Sequence, residues 1–182
     1  PSSAASDVYK RQDVRYVTPG GTGDGLTTNS AMGSIQQAVE EVPDGGTVVL
    51  STGRFIQNVT IDRAVSLQGV CARDTVIEAD GAMPDVVLER DENGLSLSDE
   101  AFWSEASVVR IQGAHARSVR DLQITGNRIG LSAEQGELSV EGMWIAGRKV
   151  FGLLGEVDMG SLSIQANGMA STDIRSSQAH AM

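Results

Sequence analysis

The sequence predicts an all-β fold, a right-handed parallel β-helix (a solenoid) with a short N-terminal capping α-helix. Three observations carry that prediction. Apolar residues alternate with a period of two in pieces only three to five residues long, separated by single Gly, Asn or Asp turns. The second half repeats itself with a step of 21 residues and then 24, from Val119 to Val140 to Ile164. The composition, 40% apolar with 21 Gly and only 4% aromatic residues, suits short strands and tight turns better than a core of bulky rings.

From the N-terminus, the stretch DVYKRQ at 7–12 resembles a translated sequencing adapter, and no apolar periodicity surrounds it. Residues 1–12 are therefore set apart as an artefactual or disordered leader. Residues 13–46 read as an N-terminal cap: a short extended segment, a loop rich in Gly, Thr and Asn, and one helix at 34–42. Ser34 can cap that helix, with Gln37 three residues on as in a capping box. Ile35, Ala38, Val39 and Val42 share one face, Gln36, Glu40 and Glu41 point away, and Pro43-Asp44-Gly45-Gly46 ends it.

The coils are expected over 47–172, about five in number. Val48 and Leu50, Val59 and Ile61, and Val65 and Leu67 alternate with polar or outward residues, and Thr75-Val76-Ile77 makes a further strand. Farther on, VRDLQITG at 119–126 lies over VEGMWIAG at 140–147, both apolar-x-x-apolar-x-apolar-x-Gly, and Ile164 opens a weaker third copy. Ile129-Gly130-Leu131 matches Phe151-Gly152-Leu153, and Gly136 to Ser139 matches Gly160 to Ser163. A leucine-rich repeat shares the period but needs a Leu ladder and a helical return that are absent here. An acidic insertion at about 80–107, with eight Asp and Glu residues, projects from one coil, with Phe102 and Trp103 folding back onto the solenoid. Residues 173–182 form a polar tail without a capping element, so the natural protein is expected to continue past Met182.

Charge narrows the partners. A net charge of −10 repels a phosphate backbone and an anionic membrane surface, so nucleic acid is excluded. No apolar run is long enough to insert in a membrane as a helix. Cys71 stands alone, which rules out an internal disulfide and a cysteine-rich zinc site and suggests a small buried thiol.

The stretch 16–77, from YVTPGGTGDG through SIQQAVEEVPDGGTVVLSTGRFIQNVTIDRAVSLQGV to TVI, resembles the N-terminal cap and first coils of bacterial right-handed β-helix proteins of the pectin-lyase-like superfamily. The resemblance implies an extracellular or cell-surface protein that binds or acts on polysaccharide. Pectin methylesterases share this opening. Their chemistry takes two carboxylates, Gln donors for the oxyanion and an Arg to hold a carboxylate. The Gln-Ala-Val and Asp-Phe-(Ile/Val)-Phe-Gly segments that carry the two Asp residues in that family do not occur here.

Among the remaining candidates, Arg110, Arg117, Arg120, Arg128, Arg148 and Lys149 could form the basic stripe a polysaccharide lyase would need, against a reading as solvated outward or loop positions. Trp144 alternates outward between Met143 and Ile145 and could stack on a sugar, unless the insertion covers it. Trp144, Arg120 and Arg128 are thus the candidate substrate-binding residues. No cofactor is expected. Calcium is the one ion with a candidate site, in residues 91–105, although Asp91-Glu92-Asn93-Gly94 lacks EF-hand spacing. His115 and His180 have no acidic or Ser partner in sequence, and GGTGDG has no Lys-Ser/Thr to make a phosphate loop. Asn58-Val59-Thr60 is a glycosylation sequon. Two functions follow: a secreted or surface module that binds glycan or a partner without catalysis, or a fragment of a carbohydrate-active lyase, hydrolase or esterase whose site is incomplete. An enzyme would set two carboxylates, or a carboxylate and a basic residue, on one flank of adjacent coils.

Overall fold

A computed structural model describes residues 13–81, 90–91, 94–95, 107–112, 117–126, 129–133, 138–145, 153–155, 163–165 and 174–176. Every strand pairing among them is parallel except one short hairpin, β7 (Arg90–Asp91) with β8 (Gly94–Leu95).

The strands wind as successive coils. The first is β2 (Thr47–Leu50), β3 (Gly53–Ile56) and β4 (Val59–Ile61). The second is β5 (Ser66–Gln68), β6 (Thr75–Glu78) and β9 (Ser107–Ile111), and the third is β10 (Arg117–Arg120), β11 (Gln123–Thr125) and β12 (Ile129–Ala133). β13 (Leu138–Glu141), β14 (Trp144–Ile145) and β15 (Leu153–Gly155) follow, then β16 (Ser163–Gln165) and β17 (Ile174–Ser176). Stacked coils give three walls. Sheet A runs β1-β2-β5-β10-β13-β16, where β1 is Val14–Val17; sheet B runs β3-β6-β11-β14; and sheet C runs β4-β9-β12-β15-β17. Parallel strands joined by crossovers wind right-handed in L-chains. The fold is a right-handed parallel β-helix.

The repeat in the sequence is the register of the walls. Val119 pairs with Val140 and Val140 with Ile164, while Leu131 pairs with Leu153. Inward residues form continuous columns: Val48, Leu67, Val119 and Val140 in sheet A, and Phe55, Ile77, Ile124 and Ile145 in sheet B, all buried. Burying apolar columns against neighbours above and below is what makes each coil depend on the next. Sheet C runs on past Thr172, where a polar tail was expected, because Ile174–Ser176 pairs with Leu153–Gly155.

Helix α1 (Ile35–Glu41) closes the first coil. Ser34 Oγ accepts from Gln37 N at 3.1 Å, and Ile35, Ala38, Val39 and Val42 are buried. Two expectations need correction. The Gln37 side chain donates forward to Glu41 Oε1 at 2.8 Å instead of returning to close a capping box. Gln36 does not point away: its Oε1 accepts from Thr60 N at 2.9 Å, on the edge of β4. Gln57 completes the join, accepting from Ile35 N at 2.8 Å and donating to Gly33 O at 2.9 Å. Two amide side chains thus satisfy backbone groups that a helix end and a sheet edge would otherwise leave open.

In the loop before the helix, Asp24 Oδ1 accepts from Ser30 Oγ at 2.7 Å and from Leu26 N at 3.1 Å. The Ser30 hydroxyl, then the Leu26 N–H, hold this carboxyl below its ordinary value of 3.8. A carboxyl lowered on folding adds stability that is present above its ordinary value and is lost as pH falls through the lowered one. Ser30→Ala is expected to move the Asp24 titration back up toward 3.8, read by NMR from its carboxyl carbon.

Most of the acidic insertion, with Phe102 and Trp103, lies outside the described residues.

Candidate functional site

The walls differ on their outer sides. In sheet C all five residues of β9 are buried, Arg110 at 4% exposure included, and Ser107 Oγ donates to a buried Ser132 Oγ at 2.7 Å. Arg110 is therefore no solvated outward residue. It stands in the outward register between half-buried Thr60 and buried Ser132. Among the described residues, the outward positions of sheets A and B named next are half-buried or exposed. Along sheet A the outward row is Val49, Gln68, Arg120, Glu141. Along sheet B it is Arg54, Val76, Gln123, Trp144.

These rows meet at the A–B corner, which is tight on the third and fourth coils and long on the second. The third coil turns at Asp121 and the fourth at Gly142, with φ of 58° and 59°. Asp121 is the one non-glycine residue with positive φ among those described. Its short polar side chain makes that conformation tolerable where most residues would be strained. The corner is tied by Gly69 N donating to Arg120 O at 2.9 Å, Asp121 N to Glu141 O at 3.0 Å and Trp144 N to Leu122 O at 3.1 Å.

The second coil uses residues 69–74 at the same corner. There Cys71 Sγ donates to Asp74 Oδ2 at 3.1 Å, and Arg73 Nε pairs with Asp74 Oδ1 at 3.2 Å. The Cys71 thiol first, then Arg73, hold the Asp74 carboxyl below 3.8. Cys71 is only partly buried, contrary to the expectation of a buried thiol, because it sits in this extended corner and not on an inward strand position.

Arg120 is exposed, and its Nη2 donates to Gln68 Oε1 at 2.7 Å on the preceding coil. Its register partner on the following coil is Glu141. Trp144 stands in register with Gln123 and is 39% exposed, so its indole faces solvent. On sheet B, Arg54 Nη1 meets Glu78 Oε2 at 2.6 Å, an exposed pair that contributes about 1 kcal/mol or less. The structure thus sets Arg120 and Trp144 on neighbouring outward rows, one coil apart. Arg128, Arg148, Lys149, His115, His180 and the side chains of Arg117 and residues 91–105 lie outside the described residues. Among the described residues no three His, Cys, Asp or Glu side chains stand together as a metal site, and no helix is long and apolar enough to cross a membrane.

Sequence analysis identified no paired acidic residue on this flank. The fold supplies one, since Glu141 is the outward neighbour of Arg120. The signal was present: aligning 119–126 on 140–147 sets Arg120 over Glu141. Gln68 left no such trace.

No family model matches this chain, and neither does any curated protein. Solved structures do resemble it. They include a pectin methylesterase mutant in complex with a hexasaccharide (TM-score 0.48, 15% identity), the pectin methylesterase PemA from Erwinia chrysanthemi (0.48, 16%) and a pectin methylesterase in complex with another hexasaccharide (0.47, 16%). The matches cover 78%, 79% and 78% of this chain and 52% of each of the others, so the chain spans about half their length. At these identities the likeness is one of fold.

Proposed function

We propose that this chain is a secreted or cell-surface β-helix module that binds polysaccharide along its A–B flank without turning it over. The observation that carries the reading is Trp144, a partly exposed indole in an outward row whose neighbouring row presents Arg120 and Gln68. An aromatic face beside hydrogen-bonding groups is the chemistry a sugar ring takes: apolar C–H surface against the indole, hydroxyls to the polar row. The secreted location rests on the sequence resemblance of residues 16–77.

One observation favours a second reading, a fragment of a carbohydrate-active enzyme of the lyase, hydrolase or pectin-esterase-like kind. Arg120, Asp121 and Glu141 place a base and two carboxylates on one flank of adjacent coils. A polysaccharide panel separates the two, scoring retention and the release of unsaturated or reducing-end products, with and without calcium. Retention without product, weakened about tenfold by Trp144→Ala, is the expected result. Product release that disappears in Arg120→Ala would make the chain an enzyme. Retention that needs calcium would assign that ion a role, with the acidic residues 91–105 as its first candidates.

A further inference from the structure

The glycosylation sequon Asn58-Val59-Thr60 is put to another use in the folded chain. Asn58 is exposed and follows β3, at the corner between sheets B and C. There the β3–β6 ladder closes with Gln57 N donating to Glu78 O at 3.1 Å. The Asn58 side chain then takes the place of a further strand residue. Its Oδ1 accepts from Asp80 N at 3.1 Å, and its Nδ2 donates to Asp80 O at 2.9 Å. One side-chain amide thus satisfies both backbone groups of a residue on the next coil. Ala79, just before that residue, donates through its N–H to Thr125 O at 3.0 Å on the third coil. The clamped segment is tied to the coils on both sides of it.

The geometry decides which amide hydrogen is engaged. Both bonds end on the backbone of one residue, so they use one edge of the amide, Oδ1 and the hydrogen on its side. N-glycosylation acts at that same edge. It forms a bond from Nδ2 to the anomeric carbon of a lipid-diphosphate-linked oligosaccharide. It breaks that carbon's bond to the diphosphate and releases one Nδ2 proton to solvent. The product is a secondary amide, for which the trans form is strongly preferred. A trans amide sets the sugar carbon on the Oδ1 side, where the hydrogen now meets the Asp80 carbonyl oxygen. Sugar and carbonyl would claim one position. Thr60 is held as well: its strand β4 pairs with β9, and its N–H donates to Gln36 Oε1 at 2.9 Å.

We propose that a sugar on Asn58 and the stacking of the first coil on the second exclude one another. Asn58 is an acceptor in the unfolded chain and is closed once Asp80 has docked. A sugar attached beforehand keeps that corner undocked. The test expresses the whole chain behind a secretory leader in a eukaryotic cell line and reads occupancy by glycopeptide mass spectrometry. Thr60→Val, made alongside, removes the sequon and keeps the Asn58 bonds. Thr60→Val/Asp62→Asn/Ala64→Thr moves the sequon to 62–64, where the side chain at 62 is exposed. Ile77→Ala weakens the inward column between β3 and β6 and leaves the sequon untouched.

Occupancy at Asn58 is expected to fall below that of the moved sequon and to rise several-fold in Ile77→Ala, where docking is weaker. Chains that do carry the sugar at Asn58 should unfold at a lower midpoint than Thr60→Val. Their Asp80 amide should exchange about fivefold faster, as the loss of one hydrogen bond implies. High occupancy with both of these losses would uphold the exclusion, the sugar having preceded docking. A glycosylated chain with the midpoint and Asp80 exchange of Thr60→Val would overturn it. So would an Asn58 left unmodified in Ile77→Ala while the moved sequon is filled, because the acceptor would then be idle for reasons other than the clamp.

Discussion

Phe55→Ala is expected to destabilise the protein by about 3–5 kcal/mol, read from the midpoint of denaturant unfolding at constant slope. Phe55 is 1% exposed and is the largest fully buried side chain among the described residues. It sits in the first coil, in register with Ile77, and heads the inward column of sheet B that continues through Ile124 and Ile145. With β3 at the edge of its sheet, the vacated volume has a neighbouring coil on one side only. A solenoid also spreads damage unevenly, because each coil touches only those next to it. Amide hydrogen exchange should therefore accelerate most in β2 to β6 and in α1, and least in β12 and β13. A uniform acceleration along the chain would contradict nearest-neighbour coupling.

Gly69→Val is expected to cost about 3 kcal/mol or more, measured in the same unfolding experiment. A Cβ on Gly69 would run into the Asp121 carbonyl oxygen and would press on the Leu122 side chain. The obstacle is backbone on the next coil and cannot swing aside. Relief requires parting β5 from β10, whose register depends on Val119 over Leu67. The Gly69 N–H to Arg120 carbonyl bond, at 2.9 Å, lies at the same junction and would stretch with it. Gly45→Val makes the comparison, since a Cβ there meets nothing but has the strain of φ +84°. Gly69→Val should be the worse of the two.

The coils were legible because a β-helix writes its register into the sequence. Residues stacked in space recur at the coil length, so Val119, Val140 and Ile164 could be aligned before any pairing was known. The buried face of α1 was equally plain from helical spacing. What the periodicity left out is how separate elements meet. Gln36 falls on the polar side of the helix by spacing, yet it satisfies Thr60 N because the helix end abuts β4. Arg110 alternates outward in a strand, and only the covered outer side of sheet C makes that position buried. In the site, Trp144 and Arg120 could be found by alternation and Glu141 by the repeat. Gln68 could not, because residues 69–116 separate it in sequence from the repeated segments.

That interval has a bearing on how the chain reaches its fold. Register partners in sheet A lie 19 residues apart from Val48 to Leu67, 21 from Val119 to Val140 and 24 from Val140 to Ile164, but 52 from Leu67 to Val119. Sheet B meets the same gap between Ile77 and Ile124, and sheet C meets it one coil earlier, between Val59 and Val109. Closing the longer loop costs roughly 0.8 kcal/mol more chain entropy than closing the shorter ones. It is one closure shared by three walls, so a single slow encounter sets all of them. Short loops on either side of it can zip early, as two local nuclei, and the encounter that joins them is the natural place for the folding barrier.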